Sequence, residues 1–206
     1  MGDRLLHARL FMRMPKLPPI RCHPLTPDRW DDFETLFGPR GACGGCWCML
    51  WRLQRSEFER NKGERNRQAM RDLVDNGVSP GILAYRKRDP IGWCALAPRA
   101  DYPALARSRI LKPIDDQPVW SVSCLFVHKD HRKQGVSVAL LRAATDFVRK
   151  QGGTVVEGYP VLPKKAEMPA VFAWTGIASA FLEAGFHEAA RPAEHRPIMR
   201  CVVEKG

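Results

Sequence analysis

Apolar residues recur along the chain at two spacings, which separate the predicted strands from the predicted helices. Alternating or short continuous apolar runs between turn residues predict strands, whereas apolar residues three and four positions apart predict helices. The predicted strands are residues 20–25, 81–85, 90–96, 119–127, 154–161, 186–190 and 197–203. The predicted helices are residues 27–37, 56–76, 135–151 and 175–184.

Two of these helices carry start and stop signals. The first follows Thr26-Pro27, places Trp30, Phe33 and Phe37 on one face and ends before Gly38. The second begins with the capping box Ser56–Glu59 and ends at Asn76-Gly77. We therefore expect an aromatic stripe on the first helix and one continuous, charged second helix.

The order of the elements predicts an α/β fold built on a mixed sheet. Strand-helix-strand units imply that part of the sheet is parallel, and the hairpin at residues 81–96 adds an antiparallel part. No second domain is evident. We predict one domain over residues 20–206, preceded by a basic, mobile N-terminal tail at residues 1–19.

Composition excludes some classes of protein and leaves others open. The longest mostly apolar stretch, residues 170–182, is shorter than the roughly 20 apolar residues that span a bilayer, so no membrane role is expected. The net charge of +11 favours anionic partners such as nucleic acid or phosphorylated cofactors. No known nucleic-acid-binding motif is present, which makes a nucleic-acid-binding module the weaker alternative.

The seven cysteines are odd in number and irregularly spaced, and no secretory signal precedes them. This pattern favours free thiols in a reducing cytoplasm. Cys43, Cys46 and Cys48 lie close together, and a zinc site, a redox pair and a packed loop on the substrate side remain as alternatives. The expected fourth zinc ligand is not evident, so we expect no metal.

The segment from Cys124 to Leu141 has the strongest chemical signal. A predicted strand ends at Val127, and Arg132-Lys-Gln-Gly135-Val-Ser137 leads into a helix. A glycine-containing turn at a helix N-terminus exposes unpaired N–H groups and the positive end of the helix dipole, a combination that binds phosphate. The residues alone therefore indicate a strand, an anion-binding turn and a helix, although an ordinary basic loop gives the same pattern.

This segment resembles the acyl-CoA motif of the GNAT acetyltransferase superfamily, Arg/Gln-x-x-Gly-x-Gly/Ala, with Ser137 in the last place. The order of elements from Ile20 onward is also similar, as is the late helix ending in Gly185-Phe186. The segments 43–51 and 158–174 are similar to a bacterial subgroup of unknown substrate. The resemblance implies a GNAT-like, mostly antiparallel sheet with splayed parallel central strands, flanked by helices.

The resemblance also implies direct transfer of an acetyl group from acetyl-CoA to an amine in a ternary complex. Pantetheine would pair with the backbone at Leu125 to Val127, where an N–H would polarise the thioester carbonyl. The pyrophosphate would bind the amides from Lys133 to Ser137, with Arg132 holding the turn. The expected cofactor-binding residues are Leu125, Phe126, Val127, Arg132, Lys133, Gln134, Gly135, Val136 and Ser137.

Acetyl transfer requires a base for the ammonium proton and an acid for the leaving thiolate. The family's usual acid is a tyrosine four residues before the late glycine, but this position is Phe181. Glu157 and Tyr159, which share a face of the predicted strand 154–161, are the candidate catalytic base and acid. The alternative is that Glu157 is exposed and Tyr159 is merely packed.

Three functions therefore remain open: an N-acetyltransferase, a non-catalytic GNAT-like sensor that binds CoA, and a basic nucleic-acid-binding module. The departure at Phe181 supports the sensor. For the enzyme, the acceptor is a small-molecule or peptide amine, including a lysine. A homodimer is kept as an option, and neither nucleic acid nor a membrane is expected as a partner.

Overall fold

The computed structural model describes residues 17–163 and 173–204, and its strands form one sheet in the order β1-β2-β3-β4-β5-β7-β6. The strands are β1 Ile20–Pro24, β2 Gly81–Arg86, β3 Asp89–Pro98, β4 Trp120–Val127, β5 Val155–Gly158, β6 His187–Ala193 and β7 Arg196–Val202. Neighbouring strands pair antiparallel except β4 and β5, which pair parallel. The predicted mixed, mostly antiparallel sheet with a parallel central pair is confirmed. Most of the predicted basic tail, residues 1–16, lies outside the described residues.

Helices cover both faces of this sheet. They are α1 Trp30–Phe37, α2 Arg55–Asn61, α3 Glu64–Asp75, α4 Pro103–Ala106, α5 Val136–Lys150 and α6 Ala178–Glu183. On one face, α5 and α6 pack over the central strands around Leu140 and Phe181. On the other face, α1 and α3 enclose an aromatic core around Phe33 and Trp93. None of the described helices is both long enough and apolar enough to cross a bilayer.

The aromatic stripe predicted for the first helix is confirmed. Trp30, Phe33 and Phe37 are all buried. The ring of Phe33 meets that of Trp93 on β3 edge-to-face, with 4.8 Å between centroids. The stripe thus fixes α1 to the middle of the sheet.

The single helix predicted over residues 56–76 is wrong, because the chain forms α2 and α3 with a break at Gly63. Gly63 has φ of +85°, which interrupts the helical path. Its N–H donates at 3.0 Å to the carbonyl of Gly45, a residue that is distant in the sequence. The capping box is not used either, because α2 begins at Arg55 after Gln54. A tertiary contact therefore overrides local signals that favoured one helix.

The predicted strand 154–161 is shorter in the structure, since β5 ends at Gly158. The parallel pairing with β4 consists of Trp120 with Val156, Ser121 with Glu157 and Val122 with Gly158. Residues 123–127 of β4 extend beyond this pairing. The two central strands therefore diverge after Val122.

Replacing a core aromatic on α1 tests the proposed attachment of this helix. We expect Phe33→Ala to lower the free energy of unfolding by about 3–5 kcal/mol, because it leaves a cavity among packed rings. Leu182→Ala, at a leucine that is 60% exposed, should change it by less than about 0.5 kcal/mol. Urea denaturation measures both. Equal effects of the two changes would contradict the assignment of Phe33 to the core.

Candidate active site

The point at which β4 and β5 part is marked by a bulge in β4. Across β3, Ala95 pairs with Cys124 and Leu96 pairs with Val122, so Ser123 is the extra residue. A bulge re-aims side chains and is common beside active sites. Here Cys124 packs toward the aromatic core, and Ser123 lies beside Tyr102 on the same side of the sheet.

The backbone beyond the bulge presents amide groups on the side that β5 has left. His128 N–H donates to the Ile91 carbonyl on β3 at 3.0 Å. Because successive N–H groups of a strand point to opposite edges, the N–H of Val127 points away from β3. Leu125 N–H points in the same direction as Val127 N–H and donates to the Trp174 carbonyl at 2.7 Å. Residues 125–127 thus present amides away from β3, but the Leu125 amide already has a partner within the chain.

The turn after β4 has the geometry of an anion site. Lys133 and Gly135 have φ of +57° and +76°, and Gly135 is the N-cap of α5. The first helical hydrogen bond of α5 joins Ala139 N–H to the Gly135 carbonyl at 3.0 Å. The amides of residues 136–138 precede this bond and so have no carbonyl partner within the helix. They project from the positive end of a fifteen-residue helix.

Side chains of the motif hold this turn in place. Arg132 Nε donates to the Val127 carbonyl at 3.3 Å, which ties the turn to the end of β4. Gln134 Nε2 donates to the Asp130 carbonyl at 2.9 Å, and its Oε1 accepts from Arg86 on β2. The side chains of Arg132 and Lys133 remain exposed beside the amides. The predicted cofactor residues 125–127 and 132–137 are therefore continuous in space.

Glu157 and Tyr159 also come together, one on β5 and one just beyond it. The Tyr159 hydroxyl donates to Glu157 Oε1 at 2.7 Å and is 2.8 Å from Ser121 Oγ on β4. Glu157 and Tyr159 are each 1% exposed. The alternative that Glu157 is exposed is wrong, whereas Tyr159 is indeed packed.

Two arginines that sequence analysis did not single out complete this cluster. Arg99 Nη1 donates to Glu157 Oε1 at 3.1 Å and to the Tyr159 oxygen at 2.5 Å. Arg200 Nε donates to Glu157 Oε2 at 2.8 Å. Arg200 also makes a bidentate pair with Asp115, at 2.6 and 2.9 Å.

Opposite charges compensate one another in this cluster. Two guanidinium groups compensate the charge of the buried Glu157 carboxylate, which would otherwise be costly to bury. Burial raises the pKa of Tyr159, so its hydroxyl is protonated and can donate to Glu157. The hydrogen bond from Arg200 lowers the pKa of Asp115. Because Arg200 lies opposite Glu157 on β7, knowledge of the strand register would have revealed this partner.

Phe181 occupies the position of the family's usual acid and belongs to the core. Its side chain is fully buried, and its ring meets that of Phe186 edge-to-face with 5.1 Å between centroids. A proton donor at this position is therefore absent, and the space is filled by packed rings.

The cysteine loop, residues 38–54 between α1 and α2, packs against the sheet on the α1 side. Trp93 Nε1 donates to Cys48 Sγ at 3.1 Å. The pKa of Cys48 is raised by its hydrogen bond with Cys124 and then by burial, and burial raises the pKa of Cys46 to about 12. Protonated thiols are poor nucleophiles and poor metal ligands. Within residues 17–163 and 173–204, no group of three His, Cys, Asp or Glu side chains is placed to hold a metal ion.

Comparisons with solved structures find proteins of similar fold. The structure resembles a GNAT-family protein from Desulfovibrio desulfuricans, with 15% identity, coverage of 90% of this chain and 100% of that chain, and a TM-score of 0.50. It also resembles a GNAT-family acetyltransferase from Streptococcus agalactiae, with 12% identity, coverage of 92% and 99%, and a TM-score of 0.53. At these identities the likeness concerns the fold alone. Among curated proteins, no sequence matches this chain.

The sequence itself gives the family. The family model "Acetyltransferase (GNAT) family" matches residues 47–159, more than half of the chain. The matched range contains the bulge, the turn at residues 133–137, and Glu157, Tyr159 and Arg99, whereas Arg200 lies beyond it. The chain belongs to the GNAT acetyltransferase family.

Proposed function

We propose that this protein is an N-acetyltransferase that moves an acetyl group from acetyl-CoA directly to an amine. The observation that supports this most is the continuity of two backbone features. The amide-bearing edge of β4 at residues 125–127 leads directly into the amide-lined turn at residues 133–137. A long ligand with a peptide-like arm and a pyrophosphate fits such a path.

In this proposal, the amides of residues 133–137 hold the pyrophosphate, and Arg132 keeps the turn against β4. The helix dipole of α5 and the nearby Lys133 charge favour the anion. The N–H of Val127 polarises the thioester carbonyl and stabilises the oxyanion that forms when the amine attacks. The Leu125 amide, which is engaged by Trp174, is the next donor along the strand.

We assign proton transfer to the pair Glu157 and Tyr159. Both carboxylate oxygens of Glu157 already accept hydrogen bonds, one of them from the Tyr159 hydroxyl, so the amine's proton reaches Glu157 through this hydroxyl rather than by direct contact. Because donors from Arg99 and Arg200 already engage the Glu157 oxygens, we expect a catalytic contribution at the low end of the range for a general base.

A non-catalytic CoA sensor is the second candidate, and the packing of Phe181 is the observation that favours it. A sensor and an enzyme both bind acetyl-CoA, but only the enzyme releases free CoA when an amine is present. Release of thiol from acetyl-CoA, measured against a panel of amines, separates the two. The absence of acetyl-CoA binding would contradict both.

For the setting of the reaction, we propose a cytoplasmic protein that acts on a small-molecule or peptide amine. The odd, irregularly spaced cysteines support a reducing compartment. We propose no metal, because the raised pKa values of Cys46 and Cys48 disfavour thiolate ligands. Self-association as a homodimer is an accompanying proposal, which sedimentation analysis tests.

The role of the turn is tested by Gly135→Glu. The new side chain places negative charge and bulk beside the amides of α5, so acetyl-CoA affinity should fall at least about tenfold. Gly152→Glu at the other end of α5 is the matched control, because Gly152 has the same φ of +76°. Calorimetry should detect wild-type affinity in that control. If both variants lose affinity equally, backbone strain rather than the anion site explains the loss.

The role of Glu157 is tested by Glu157→Gln, which keeps the shape of the side chain and removes its basicity. Turnover should fall by about 10²-fold, while acetyl-CoA affinity stays nearly unchanged. Asp115→Asn is the control, because it weakens the outer ion pair to Arg200 without altering the carboxylate of Glu157. An equal loss of turnover in both variants, or no loss in Glu157→Gln, would refute the assignment.

A further inference from the structure

Three polar side-chain atoms are buried on the α1 side of β4 without a hydrogen-bond partner in the described residues. They are Trp51 Nε1, Arg52 Nη2 and the Tyr102 hydroxyl. Each can donate a hydrogen bond, and an unsatisfied buried donor is unfavourable for the folded protein. Several such donors in one place mark a position where a bound ligand or ordered water can accept hydrogen bonds.

The three donors are neighbours. The guanidinium carbon of Arg52 lies 4.9 Å from the centroid of the Tyr102 ring. Trp51 precedes Arg52, its carbonyl accepts from Ala104 N–H at 3.2 Å, and its ring packs against the cluster that contains Tyr102. Burial raises the pKa of Tyr102 to about 12, so its hydroxyl remains a donor at neutral pH. They thus form one group on the cysteine loop and the segment after β3.

This donor group lies beside the place where β4 and β5 part. The Trp51 ring stacks on Trp174 with 5.9 Å between centroids, and the Trp174 carbonyl accepts from Leu125 N–H. Ser123, the bulged residue, lies next to the Tyr102 hydroxyl, although no hydrogen bond of acceptable geometry joins them. The donor group therefore borders the proposed position of the acetyl carbonyl.

The charge of the donor group is also unbalanced. Arg99 and Arg200 both have carboxylate partners, whereas Arg52 has no ion pair with any described residue. A partly buried guanidinium without a counter-ion favours the binding of an anion. One positive charge and two neutral donors suit a monoanion, because a phosphate dianion would leave a negative charge uncompensated.

We propose that the acceptor amine carries a carboxylate, and that Arg52 binds this carboxylate with the help of Trp51 and Tyr102. The inference rests on the proposed acetyl transfer and narrows its substrate to amino acids and similar compounds. The carboxylate anchors the substrate on the cysteine loop and turns its amine toward the thioester. Arg52 is thus a specificity-determining residue.

The test compares free amino acids with their carboxamides, which lack only the negative charge. The wild type should show a KM about 10- to 100-fold lower for the acid, as expected for a charge-assisted hydrogen bond. Arg52→Gln should abolish this preference, and Arg52→Lys should restore part of it. Arg55→Gln, which removes an exposed charge nearby, should keep the wild-type preference. Thermal unfolding verifies that each variant is folded.

Equal KM values for acids and carboxamides in the wild type would overturn the inference and leave acetyl transfer intact. If acetyl-CoA binds but no amine is acetylated, the proposed function fails. In that case, calorimetric titration of N-acetylalanine into the CoA complex tests whether Arg52 binds a carboxylate. Binding by the wild type but not by Arg52→Gln supports the site, and equal binding or no binding by both overturns it.

A further control tests whether a carboxylate of the chain itself, rather than that of the substrate, pairs with Arg52. Glu167 is the acidic residue of the segment between the two described ranges. If the substrate carries the carboxylate, Glu167→Gln should leave the preference for acids unchanged. A loss of preference equal to that of Arg52→Gln would overturn the inference.

Discussion

The parallel pairing of β4 and β5 extends over only three residue pairs, and the rest of the site depends on this short pairing. Because β5 ends at Gly158, the edge of β4 that faces away from β3 has no pairing with β5 at residues 123–127. Unpaired strand backbone is normally a liability, since exposed N–H and C=O groups seek partners. Here the released edge leads into the amide-lined turn of α5, so it can serve a ligand.

Ion pairs as well as backbone hydrogen bonds stabilise the short pairing of β4 and β5. Glu157 lies beside Ser121 of β4 and opposite Arg200 of β7, and Arg99 reaches it from the segment after β3. The carboxylate thus joins the central strands to the segment that follows β3. Burying an ion cluster of this kind contributes little net stability, but removing one member is costly because the remaining charges lose compensation. This gives Glu157 a structural role alongside the proposed chemical one.

The two sides of the sheet serve different parts of the proposed reaction. The α5 side is an apolar core that supports the helix N-terminus, to which we assign the cofactor. The α1 side carries the aromatic core, the cysteine loop and the donors Arg52 and Tyr102, which we assign to the acceptor. The bulge at Ser123 links the sides, because it directs neighbouring residues of β4 toward the α1 side just where the strand becomes free.

The sequence by itself determined the features that depend on local spacing: the strands, the aromatic face of α1, and the turn from Val127 to Ser137 that precedes α5. It also predicted that Glu157 and Tyr159 share a face, because side chains on a strand alternate. Only the tertiary structure decided where distant segments meet. The helix predicted over residues 56–76 breaks at Gly63, whose N–H donates to the carbonyl of the distant Gly45. Arg99 and Arg200 surround Glu157 because strand order and register, rather than neighbours in the chain, bring them together.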